Sequence, residues 1–187
     1  MSHPTHVIST KQILDITIWN KVNDFCSDKS AKDIDIIVKW IQSEFKIDIT
    51  TDLDIVNGYI TDWSNIQGNA IGLCRPKNHI EAIIVIRTFF IIKMLYTISA
   101  GKTNLTGSAT PMGGFVISIE NLNNIKPTVN NNQVISSTGI YLEDMKKEVL
   151  NQTDKKLCYP VDPTSRREAM IGGTVSCNAS GFIPGEK

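Results

Sequence analysis

Long apolar runs are missing from this chain. Its most apolar stretch, residues 80–98, is interrupted by Glu81, Arg87 and Lys93, whereas a membrane-spanning helix needs about 20 nearly unbroken apolar residues. No transmembrane segment is therefore read. The polar start MSHPTHVIST lacks the apolar centre of a secretion signal, so a cytoplasmic protein is expected. A surplus of one charge is missing too: 19 Lys and Arg balance 19 Asp and Glu, for a formal net charge of +0. Gripping nucleic acid takes clustered cations that neutralise phosphates, which removes nucleic acid from the expected partners. Aromatic residues are 7% of the chain and form no stripe with basic ones. Cys26, Cys74, Cys158 and Cys177 make no C-x-x-C pair, which argues against a zinc ribbon or a dithiol redox motif, and no metal is expected. The cysteines read as reduced, mostly buried thiols. His3, His6 and His79 fit no motif and read as surface or helix-start residues.

What is present is a normal buried-core composition. The chain has 187 residues, of which 41% are hydrophobic and 20% charged, enough for one good-sized domain or one domain with a small appendage. The first 50 or so residues read as helical. Ser9-x-x-Gln12 resembles a capping box ahead of QILDITIWNKVNDF. Ser30 and Asp33 can open a second helix, in which Ile34, Ile37, Val38, Ile41 and Phe45 share one face. DLDIVNGYITDWSNIQGN reads as irregular, with Gly58, Asn65 and Gly68 as turn residues. From Ala70 the elements alternate. AIGLC is a strand, and Pro76 sits at the first turn of a helix running from Lys77 to about Ile92 that is apolar on most sides. LYTIS is a strand, a glycine-rich loop follows, and GFVISI reads as an alternating strand. QVISST is a further strand, ended by Gly139, and YLEDMKKEVL is an amphipathic helix. The Pro-, Gly- and Ser-rich tail reads as ordered loop with a short helix, because Met170, Ile171 and Val175 recur among its small residues.

The sharpest motif is TISAGKTNLTGSATP, which contains the Gly-Lys-Thr that ends a nucleotide-binding P-loop. That motif requires a glycine where Tyr96 stands and a helix after Thr103, where loop and strand follow instead. The P-loop reading fails on both counts, and a Gly-x-Gly-x-x-Gly dinucleotide fingerprint is also absent. What remains is a loop of small and hydroxylated residues between Gly101 and Gly107. Successive backbone N–H groups there can point into one concavity and hold an anion. Taken alone, the loop suits a tight strand-to-strand connection equally well. A second cluster in DPTSRREAMIGGTVSCNASG has small residues dense enough to press flat against a planar ligand. Together the two clusters suggest one long ligand held at both ends.

SAGKTNLTGSATPMGGFVIS, followed by NLNNI, GIYLEDM and YPVDPTSRREAMIGGTVSCNASG, resembles the PCMH-type FAD-binding domain of the vanillyl-alcohol oxidase / p-cresol methylhydroxylase superfamily. The branch it resembles is the FAD-linked oxidases that include D-lactate dehydrogenase, glycolate oxidase and alkyldihydroxyacetone-phosphate synthase. The match runs from about residue 59 to the end, and RPKNHIEAIIVIR resembles the family's proline-led first helix. The resemblance implies an α+β fold with a small parallel-containing sheet and a mixed second sheet, preceded by a helical segment. Residues 1–56 would be that extension and 57–187 the FAD-binding domain. It implies that Ser99, Ala100, Gly101, Lys102, Thr103 and Asn104 bind the FAD pyrophosphate and that Thr106 and Gly107 close the loop. Asp162, Pro163 and Ser165 would lie toward the isoalloxazine, and Gly172 and Gly173 would let the chain pass the cofactor. Asn178, Ser180 and Gly181 would bond the flavin, ribityl or diphosphate portion. The loop has no His or Cys to tether a flavin, so FAD is expected to be non-covalent, and Cys177 is read as a packing residue. The implied chemistry is hydride transfer from a hydroxylated small molecule, such as a 2-hydroxy acid, to flavin N5. Relatives continue into further strands and a cap domain beyond GFIPGEK, so the catalytic acid or base is not assigned. The alternative expectation is a truncated, non-catalytic FAD-binding or interaction module.

Overall fold

The computed structural model describes residues 13–181. The capping box at Ser9 and Gln12, together with His3 and His6, lies outside the described residues. The first helix described in full, α1 (Ile16–Ser27), is capped by Asp15, whose carboxylate accepts the Thr17 amide at 2.7 Å. A 3-10 turn at Lys29–Lys32 leads to α2 (Ile34–Phe45). Asp33 caps α2 by accepting the amides of Asp35 and Ile36, and Lys46, in the left-handed conformation, ends it. The expected apolar stripe is present, with Ile37 and Ile41 fully buried. β1 (Ile49–Thr50) follows.

The next segment is more ordered than its irregular sequence suggested. Asp52 caps a single turn, α3 (Leu53–Val56), which runs into a 3-10 turn at Asn57–Tyr59. One turn is too short for apolar periodicity to show. β2 (Gly72–Cys74) then leads to α4 (His79–Ile92). Asn78 accepts the Glu81 amide at 3.0 Å, and the Glu81 carboxylate accepts the Lys77 amide at 2.8 Å. This reciprocal cap sets the helix start at His79 rather than at Lys77, and Pro76 lies ahead of it. β3 (Tyr96–Ser99), β4 (Phe115–Ser118), the hairpin β5 (Thr128–Asn130) and β6 (Gln133–Ile135), α5 (Leu142–Gln152) and α6 (Ile171–Ser176) complete the described elements.

The main sheet has the order β1-β2-β4-β3, with β1 antiparallel to β2 and the other pairs parallel. The β2-α4-β3 crossover leaves a gap of one strand, which β4 fills. β4 is therefore central and buried on both faces: Phe115, Val116, Ile117 and Ser118 are all buried. This corrects the half-buried alternation expected for GFVISI. On one face α1, α2 and α4 form a single core with Phe115 and Ile117. Phe89 packs on Phe115 with ring centroids 4.9 Å apart. On the other face Val56, Leu73 and Val116 pack with Tyr59, Ile60 and Ala70.

Where a mixed second sheet was expected, the described residues give an antiparallel pair, β5-β6. β5 was missed in its Asn-rich surroundings. α5 packs on this hairpin through a small cluster of Leu142, Met145, Val149 and Ala169. Among the described residues no helix is long and apolar enough to cross a membrane.

Candidate cofactor site

The three parallel strands end on the same side of the sheet, where ligand crevices form in sheets of this kind. Ser99, the last residue of β3, is fully buried beside Ser118 of β4, and its hydroxyl has no hydrogen-bond partner. The glycine-rich loop begins immediately after it.

That loop divides into two halves by where its amides go. In the second half all but that of Gly107 are satisfied by protein. The Asn104 side-chain oxygen accepts the amides of Thr106 (2.7 Å) and Ser108 (3.2 Å) and the Thr106 hydroxyl (3.0 Å). Asp62 accepts the Ala109 amide at 3.3 Å, and the Gly107 carbonyl accepts that of Thr110. In the first half, from Gly101 through Leu105, the amides find no acceptor among the described residues. Lys102 has φ 54 within this run, and such a change of backbone handedness points neighbouring N–H groups into one concavity. The Lys102 side chain turns away: its ammonium donates to the Gly58 carbonyl at 2.7 Å and lies 4.7 Å from the Tyr59 ring centroid.

The second small-residue segment closes against this loop. A Cβ on Gly101 would overlap the Glu168 carbonyl, so only glycine allows the two backbones to meet there. A Cβ on Gly173 would lie 3.1 Å from that of Ala100. The Asn104 amide group donates to the Cys177 sulfur at 3.6 Å, and the Ser108 hydroxyl is 3.9 Å from it. Cys177, expected as a packing residue, is exposed at this junction. The structure thus brings Ala100, Gly101 and Asn104 together with Gly173, although more than 60 residues separate them in the chain. Gly172 rests on Ile119 and Thr138 beside them. Asn178, with φ 47, follows α6 with Ser180 and Gly181, all three exposed.

The Asp162 group is placed differently. Its carboxylate binds Lys146 of α5 at 2.5 Å, with Arg166 at 3.8 Å, and Arg166 pairs in turn with Glu143 at 3.0 Å. The Lys146 bond holds the Asp162 carboxyl below its ordinary value, and Arg166 adds to this. The Pro163 carbonyl accepts the Arg166 amide, while that of buried Ser165 accepts the amides of Glu168 and Ala169. Gly181 lies flat on the Asp162 backbone. These contacts pin the tail onto α5 and return its end to the same place.

Sequence reasoning missed Asp62. Its carboxylate is buried and accepts the Ser64 amide at 2.9 Å as well as that of Ala109. Burial alone would raise this carboxyl, but the bonds from Ser64 and Ala109 outweigh it and hold it below the ordinary value. The local signal, Asp62-Trp63-Ser64, is that of any side-chain-capped turn. Of the remaining titratable thiols, burial pushes Cys26 up to about 11 and Cys74 well above the usual range. No group of three or more His, Cys, Asp or Glu suited to a metal ion occurs among the described residues.

A run of unsatisfied amides, a buried free hydroxyl and two small-residue backbones in contact suit a ligand that is anionic in one part and extended in another. This donor set fits the diphosphate of FAD.

Residues 70–184, more than half of the chain, match the family model described as FAD binding domain. The D-lactate dehydrogenase of Anaerostipes hadrus is 30% identical over 129 residues, covering 65% of this chain and 26% of that protein. The chain thus spans about a quarter of this curated relative. Among solved structures, alkyldihydroxyacetonephosphate synthase superposes with a TM-score of 0.61 at 15% identity, over 71% of this chain and 29% of that one. For 6-hydroxy-D-nicotine oxidase from Arthrobacter nicotinovorans the TM-score is 0.57 at 14% identity, over 74% and 30%. Glucooligosaccharide oxidase from Acremonium strictum, which carries a 6-S-cysteinyl, 8α-N1-histidyl FAD, gives 0.57 at 13% identity, over 74% and 29%. These likenesses show the fold, which is PCMH-type, with a helical segment ahead of the sheet.

Proposed function

The chain belongs to the FAD binding domain family, and from that premise we propose that it holds non-covalent FAD between loop 99–107 and segment 162–181, as the cofactor-binding part of an FAD-linked dehydrogenase or oxidase. The observation that carries this reading is the run of amides from Gly101 to Leu105 with no acceptor among the described residues, in a loop that touches a second small-residue segment. These amides would hold the pyrophosphate, with Ser99 and Thr103 as hydroxyl donors, Asn104, Thr106 and Gly107 shaping and closing the loop and Lys102 held back at Gly58. Gly172 and Gly173 would flank the cofactor. Asn178, Ser180 and Gly181 would bond its flavin or ribityl portion, with Asp162, Pro163 and Ser165 toward the isoalloxazine side. Residues 57–187 would be the cofactor domain and 1–56 its helical extension.

A cysteinyl and histidyl tether, as in the Acremonium strictum oxidase, has no counterpart in loop 99–107, and the Cys177 thiol is already engaged with Asn104 and Ser108. When bound, FAD would supply a hydride acceptor at N5. The substrate would be a hydroxylated small molecule such as a 2-hydroxy acid, a reading supported by the D-lactate dehydrogenase relative.

The test is to incubate purified protein with FAD, desalt it, and record flavin absorption before and after denaturation. Retained flavin that is released on unfolding is expected. Colourless protein would overturn the cofactor reading. Flavin that is retained but not reduced by D-lactate would leave binding intact and argue for a non-catalytic module or another substrate.

A further inference from the structure

The family match begins at residue 70, yet the cofactor loop is held from outside by residues that precede it. Segment 58–68 crosses beneath the loop and contacts it along its length. The Gly58 carbonyl accepts the Lys102 ammonium, and the Tyr59 ring lies under the same charge. The Trp63 amide donates to the Lys102 carbonyl at 3.1 Å. Gly107, with φ 78, sits over Ile66 and Ser64, and Gly68 lies against Pro111. The segment is itself fixed to the sheet. Tyr59 donates to Glu120 at 2.7 Å, just past β4, and Tyr59 and Ile60 pack on Val56, Leu73 and Val116. At its centre Asp62 is buried, with its two carboxylate oxygens taken by the amides of Ser64 and Ala109.

We propose that segment 58–68 is a positioning strap for the cofactor loop, and that Asp62 is its anchoring residue. By holding the Ala109 amide, Asp62 fixes the far end of the loop, so the free amides from Gly101 to Leu105 are pre-organised when the diphosphate arrives. Pre-organisation raises affinity by removing an ordering cost that binding would otherwise have to meet. Asp62 acts through the loop and does not itself face the ligand. The inference rests on the FAD reading above.

The test compares FAD affinity, by flavin fluorescence titration, in the wild type, D62A, D62N and I41A. Ile41 is a buried core residue away from the loop, so I41A lowers stability without touching the strap. D62A is expected to weaken FAD by about ten- to a hundred-fold, the scale of lost hydrogen bonds to a charged group. D62N keeps the shape and one acceptor, so it should fall between D62A and the wild type, and I41A should bind FAD as the wild type does. Amide hydrogen exchange without ligand should quicken at Thr106, Ser108, Ala109 and Thr110, the loop amides that the protein itself holds, in D62A and D62N but not in I41A. Wild-type affinity in D62A and D62N would overturn the strap while leaving the cofactor reading intact. An affinity loss in I41A equal to that in D62A would also overturn it, by showing general loosening. A wild type that binds no FAD would overturn the cofactor reading and the strap with it. Should D62A fail to fold, D62N decides by the same comparison.

Discussion

The two halves of this chain are held together by different forces. Around α1, α2, α4 and the sheet, the core is apolar and continuous, with Val22, Ile37, Ile41, Phe89 and Phe115 fully buried. Around α5 only Leu142, Met145, Val149 and Ala169 are buried as a cluster, and the tail is attached by the Lys146–Asp162 and Arg166–Glu143 pairs. The proposed site lies where the two meet, at Gly101 and Glu168. One wall of the site therefore inherits the rigidity of a packed core, while the other depends on ion pairs and close backbone contact. Apolar burial has no charge for salt to screen or for mild acid to neutralise, whereas ion pairs respond to both. The tail side should be the side that yields first.

The largest effect that would sharpen this contrast is expected from Phe89→Ala. Phe89, on α4, touches β3 and β4 through the rings of Tyr96 and Phe115, and truncating a buried Phe costs about 3–5 kcal/mol. Denaturant unfolding should show that loss, with both halves melting together. Next comes Gly101→Val, whose side chain would collide with the Glu168 carbonyl. It should abolish FAD retention on desalting while leaving the α1-α2-α4 core folded, as judged by unchanged amide hydrogen exchange in those three helices.

Lys146→Met should act on the tail alone. Hydrogen exchange should quicken at residues 161–170 and remain unchanged in α4, and raising salt should mimic the variant in the wild type. The smallest effect concerns pH. Asp162 and Asp62 both have carboxyls held below the ordinary value near 3.8. Their stabilisation is thus fully present above that value and is lost as pH falls through the lower folded values. Acid should loosen the tail and the loop below about pH 4 while α4 stays protected, and D162N should flatten the tail's part of this dependence.

How much of this was legible in the sequence follows from how local each signal is. The stripe of α2 and the proline-led approach to α4 are local and were readable, although the reciprocal Asn78–Glu81 cap moved the helix start. α3 was too short for periodicity, and β5 lies in an Asn-rich stretch that reads as turn. β4 was read as half-buried because nothing local reports that a later strand inserts between β2 and β3. For the site, glycine and small-residue density marked both segments, and the structure brings them together. Asp62 was invisible because its decisive partner, the Ala109 amide, is 47 residues away, and a capped turn looks the same with or without such a partner. Asp162 is a site residue by resemblance alone, and its capture by Lys146 and Arg166, which depends on the docking of α5, had no local signal.

The most direct test of joint binding is amide hydrogen exchange of the wild type with and without saturating FAD. Protection is predicted in both loop 99–109 and segment 168–181, with little change in α1 and α2. Protection confined to one of the two segments, or found in neither, would contradict a cofactor held between them.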